Sequence, residues 1–141
     1  MLQRILKLDF IPSSKDAGLL VLRITMCMSL FLKHGSEKIF NFSQMAAHFP
    51  DPLHMGASTG LVFAMIGDSI CSLLIIVGLA TRWASLFAFA NIFIAWALVH
   101  HFLFFGHDAD HGEIIVLYLA GLLSLFVASA GKYSVDSLLN K

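Results

Sequence analysis

The sequence predicts an all-α membrane protein, an antiparallel bundle of four transmembrane helices, and three observations lead there. Hydrophobic residues make up 58% of the 141-residue chain, and its mean hydropathy is +0.83. Charged residues make up only 13%, about half the roughly 25% of an ordinary soluble domain. The apolar residues also gather into four stretches with short polar breaks between them. Open strands cannot span lipid, because their backbone groups go unpaired there, so the four stretches read as helices.

The first segment, residues 1–16, is of a different kind. Leu2, Ile5, Leu6 and Phe10 recur at helical spacing while Gln3, Arg4, Lys7 and Asp9 fall elsewhere. That pattern is a short amphipathic helix lying on the cytoplasmic membrane surface. Pro12 stops it, and Ser13-Ser14 cap the helix that follows. A cleaved signal peptide is disfavoured, since the first long apolar run contains Arg23 and ends in Lys33-His34 without a small-residue cleavage pattern.

One transmembrane domain is expected over residues 17–139, with helices at about 17–40, 57–79, 83–105 and 113–130. A helix needs about 20 apolar residues to cross a bilayer. The middle two have them; the outer two reach that length when flanking polar residues snorkel. Only Ala80, Thr81 and Arg82 separate the second from the third, so these two form a hairpin. Lys and Arg set the orientation. Arg4, Lys7, Lys15, Arg82, Lys132 and Lys141 share one side and Lys33 and Lys38 the other, which places both termini in the cytoplasm. The 41–56 loop then faces outward. Its Pro50-Asp51-Pro52 favours a turn, and its Phe42, Met45, Phe49, Leu53 and Met55 suit a lid over the outer mouth of the bundle.

Ionisable groups inside a membrane are costly and call for a partner or a task. Asp68 is central in the second helix and too short to reach either surface, whereas Arg23 in the first can snorkel. An Arg23–Asp68 ion pair that fixes helix packing and a functional Asp68 are equally open readings. Helical spacing puts Arg23, Cys27, Leu30, His34 and Glu37 on one stripe of the first helix. On the second, Gly60, Ala64, Asp68 and Ser72 recur every four residues, a small-residue packing face. Asn91 on the third suits an interhelical hydrogen bond. Cys27 and Cys71 read as small buried hydrophobes.

All seven histidines fall at or beyond the outward helix ends. Histidine titrates near neutral pH and ligates transition metals. His107 and His111 stand four apart, a spacing of many zinc sites, although Gly106 and Gly112 equally suit a solvated loop. His34, His100, His101 and Glu113 end three different helices, so a bundle gathers them. On a helical wheel His101 leans toward the Asn91 side and His100 away. With Glu37 and Asp68 they make candidate residues for a pocket suited to a quinone headgroup or a proton path; a solvated bundle mouth accounts for them as well.

Other chemistries lack their signatures. Net charge is zero, with no basic patch for nucleic acid. The two cysteines form no C-x-x-C pair, and c-haem, dinucleotide and iron–sulfur spacings are missing.

The sequence resembles the DoxX family of small bacterial membrane proteins from Ala17 to about Leu139. The likeness rests on His34-Gly35-Ser36-Glu37-Lys38, matching the family's His-Gly-x-x-Lys signature, and on the acidic Asp68. Gly78-Leu79-Ala80-Thr81-Arg82 at the hairpin, Glu113 and the closing Gly131-Lys132-Tyr133-Ser134-Val135-Asp136 complete it. The resemblance implies a four-helix inner-membrane protein linked to quinone-dependent oxidation, with partners among other membrane or periplasmic redox subunits. The first expectation is thus an accessory or small catalytic subunit of a quinone-linked oxidoreductase. His34, Glu37, Asp68 and Glu113 would act on protons, and His34, His100 and His101 would hold the cofactor. A scaffold whose polar seam only stabilises the bundle and a small transporter or metal-handling protein are the rivals. A homo-oligomer in the bilayer is compatible with each.

Overall fold

The computed structural model describes residues 13–104 and 112–139. The amphipathic segment expected over residues 1–11 lies outside them, as do His107 and His111. Among the described residues the fold is all-helical. Helix α1 spans Lys15–Phe40, α2 Phe42–Met45, α3 Ala57–Val77, α4 Thr81–Val99, α5 Gly112–Ala128 and α6 Val135–Leu139. Helices α1, α3 and α4 are long and apolar enough to cross a membrane, and α5 is a shorter apolar helix.

The four long helices close a ring in the order α1, α3, α4, α5. Their inner faces meet in a core of Cys27, Leu30, Cys71, Ile75, Ala84, Ala88, Ile92, Leu119, Leu122 and Leu125. The outer surface is apolar too: Trp83 is 77% exposed and Val127 73%. A soluble protein rarely presents such a contiguous apolar exterior, whereas lipid requires one.

Local chemistry explains the helix ends. The Ser14 hydroxyl accepts from the Ala17 amide at 3.2 Å and starts α1. Gly78, with φ of +75°, ends α3 in the left-handed conformation, and Ala80 at +50° starts α4. The hairpin, residues 129–136 and the start of α1 lie at one end of the bundle, here the terminal end. The opposite loop end carries residues 41–56.

Each membrane-length helix contains one π-helical turn: Phe31–Gly35 in α1, Ile66–Cys71 in α3 and Ala95–Val99 in α4. Such turns insert an extra residue and rotate everything beyond them. The buried stripe of α1 therefore runs Arg23, Cys27, Leu30, Gly35 and Lys38. His34 is half-buried and Glu37 exposed, each displaced by one position from the expected stripe.

Candidate functional site

The π turns of α1 and α3 meet. Gly35 sits against Asp68 so closely that a Cβ there would stand 2.6 Å from the Asp68 carbonyl oxygen. On the other side of α3, a Cβ on Gly67 would stand 2.7 Å from Asn91 Nδ2. The missing side chains let three helices converge on one carboxylate. Lys38 Nζ lies 2.8 Å from Asp68 Oδ2. Asn91 Nδ2 donates to Asp68 Oδ1 at 2.9 Å. Lys38 Nζ also donates to the His34 carbonyl at 3.2 Å. All three side chains are buried, and a charge pair taken from water this way requires such additional hydrogen bonds to be tolerable.

Arg23 does not make the expected pair with Asp68. Gly35 is the α1 residue at the level of Asp68, and it stands about 18 Å along the helix from Arg23. Arg23 is instead at the terminal end, where it donates to the carbonyls of Ala130 and Tyr133. Close by, the Asp136 carboxylate accepts from the amides of Ala80 at 2.7 Å and Thr81 at 2.9 Å. Partial burial of Asp136 raises its pKa. Those two amide hydrogen bonds, the Thr81 hydroxyl and the Arg23 charge together outweigh the burial and hold the carboxyl below its ordinary value. This end is a structural latch tying the tail to the α3–α4 hairpin.

At the loop end a cavity of about 660 Å³ opens above Asp68. Leu30, Phe63, Ala64, Ile92 and Ile115 supply apolar wall, and Lys38, Asp68 and Asn91 lie on its buried side. Lys33 and His100 are on its exposed side, with half-buried His34 between. Ser29 and Tyr118 hydroxyls, 2.9 Å apart, close the α1–α5 side. Phe49, Pro50, Asp51, Pro52, Leu53 and Met55 cover it, the segment expected to act as a lid. That cover is folded around Asp51, whose carboxylate accepts from the amides of Met55 and Gly56 at 2.9 and 2.8 Å.

The expected site residues thus divide. His34, Asp68 and His100 line the cavity, while Glu37, His101 and Glu113 are exposed and lie off its lining. The wheel assignment of the two adjacent histidines is reversed. The π turn at Ala95–Val99 rotates the end of α4, and His101 turns out of the helix at φ of +48°. No cluster of three metal-ligating side chains occurs among the described residues. Lys38 is the residue that sequence reasoning missed: it was counted as a surface charge, although it closes the His34-Gly35-x-x-Lys38 signature.

The DoxX family profile matches residues 18–101, more than half of the chain. An uncharacterized protein of Haemophilus influenzae is 29% identical over 128 residues, which cover 88% of this chain and 84% of that protein. No solved structure matches.

Proposed function

This chain belongs to the DoxX family, and from that premise we propose that it is a small subunit of a quinone-linked oxidoreductase of the bacterial inner membrane, its termini in the cytoplasm. One observation carries the reading: an apolar cavity whose polar groups converge on a buried, ion-paired carboxylate. Ligand sites are commonly clefts of about 300–1,000 Å³ with apolar walls and few placed polar groups. A seam packed from end to end would favour a scaffold, and a cavity running through the bundle would favour a transporter. Here the lining ends at Asp68, between the loop end and the core.

The donor set fits a quinone headgroup. Two of the three Lys38 ammonium hydrogens go to Asp68 and the His34 carbonyl, which leaves a third for a ring oxygen in the cavity. A bound quinone supplies two-electron, two-proton chemistry. The chain's own residues bind and manage protons: Asp68 takes a proton at Oδ2, and Lys38 and Asn91 fix the carboxylate's position. His34 and His100 connect it to the loop end. With no redox-cofactor motif of its own, the chain needs a partner subunit to pass electrons on.

The test is an inventory of what accompanies the protein when it is taken from its native membrane in lipid nanodiscs. Copurifying quinone and redox proteins, with the quinone lost in Asp68→Asn, support the proposal. Protein alone, with Asp68→Asn altering only thermal stability, shifts the reading to the scaffold.

A further inference from the structure

The cavity above Asp68 has an arm between α1 and α5. On α3 its lining ends at Asp68, but on α1 it runs from Lys38 back to Ser29, and on α5 from Ile114 as far as Tyr118. The α1 wall is about 13 Å long at 1.5 Å per residue. A single ring held at Lys38 and Asp68 does not fill a cavity of about 660 Å³ that extends this way. Protein interiors are close-packed, so the arm points to an occupant beyond the ring.

The arm is walled by Leu30, Ile114 and Ile115 and ends at the lipid face. There Ser29 is exposed, like Thr25 and Leu32 on the same side of α1, and half-buried Tyr118 adjoins exposed Leu117. One turn nearer the terminal end the seam is shut, since the Met26 sulfur occupies the place that a Cβ on Gly121 would take. At Ser29 and Tyr118 the closure is a hydroxyl–hydroxyl hydrogen bond of 2.9 Å. Hydrocarbon offers these hydroxyls no other partner, which holds them together. The bond can nevertheless part without disturbing the core. The loop end is closed more extensively: Phe49 and the Pro50 carbonyl rest on Gly60 of α3, and Asp51 binds the Met55 and Gly56 amides.

We propose that the cavity takes its ligand sideways from the bilayer, through the α1–α5 seam at Ser29–Tyr118, and that this ligand is a quinone whose hydrocarbon chain stays in the seam. This rests on the quinone reading above and adds to it a chain and a route. The head lies at Lys38 and Asp68, the chain runs past Leu30 and Ile115, and the Ser29–Tyr118 bond opens to admit it. A chain-bearing quinone is dissolved in the hydrocarbon already, so side entry spares it the exposure to water that entry at the loop end would require.

The test uses full-length protein in lipid nanodiscs and a benzoquinone with a decyl chain that carries a photoreactive diazirine next to the ring. Saturable binding is expected, with crosslinks at Ser29, Leu32, Ile114 or Tyr118 that excess unlabelled decyl quinone removes. Saturable binding with crosslinks on residues 49–55, on other helices or nowhere overturns the side route and leaves the quinone site standing. No saturable binding overturns both. Rates give a second readout. Ser29→Ala, a change at an exposed position, is expected to raise association and dissociation rates together by about threefold or more, with Kd altered less than about twofold. Unchanged rates overturn the proposal.

Discussion

Lys38 Nζ stands 2.8 Å from Asp68 Oδ2 because Gly35, one turn earlier on α1, lets the two helices meet at their π turns. The contact joins the end of one helix to the middle of another and sets the floor of the cavity.

Breaking that pair from one side is predicted to cost more than removing it whole. Lys38→Met or Asp68→Asn strands a buried partner, at about 3–5 kcal/mol. The Lys38→Met/Asp68→Leu double variant is expected to be more stable than either. Thermal unfolding of the three variants in one detergent gives the coupling.

Gly35→Ala is predicted to destabilise by about 1–3 kcal/mol, the usual cost of overpacking. Its Cβ would meet backbone, the Asp68 carbonyl at 2.6 Å, and backbone cannot swing aside as a side chain can. The check is Tm alongside Gly18→Ala, where a Cβ meets nothing within 4 Å.

Arg23→Met removes the donor to the Ala130 and Tyr133 carbonyls. A hydrogen bond to a charged group contributes about 1.5–3 kcal/mol. The expected outcome is faster proteolytic clipping within residues 129–139 and no loss of ligand binding at the loop end.

Asp136 gives the latch a pH dependence. Its folded pKa is held below the ordinary carboxylate value: burial raises it, and the Thr81 and Ala80 amides, the Thr81 hydroxyl and the Arg23 charge together outweigh that burial. Its stabilising contribution is therefore present above the unfolded value and lost as pH falls through the depressed folded one. Asp136→Asn is expected to flatten the acid side of the stability profile, measured as Tm against pH below about 4.

The helices were legible in the sequence because apolar length and short polar breaks leave few alternatives. Asp68 and Asn91 were legible as well, being polar groups too short to escape the membrane. What could not be read was which side chains meet. A wheel of constant 3.6-residue pitch continues the α1 stripe through His34 and Glu37, whereas the π turn hands it to Gly35 and Lys38. The same error, on α4, exchanged His100 and His101. Arg23 and Asp68 carry opposite charges on neighbouring helices, but composition says nothing of their separation along the axis.

The central claim is that the cavity above Asp68 binds a quinone, and equilibrium titration of nanodisc-held protein with a short-chain quinone tests it most directly. The account predicts one saturable site, weakened tenfold or more by Asp68→Asn and by Ala95→Phe, which adds bulk at a wall residue of the cavity that is not a member of the Lys38–Asp68 pair. No saturable binding, or equal affinity in wild type and both variants, would contradict it.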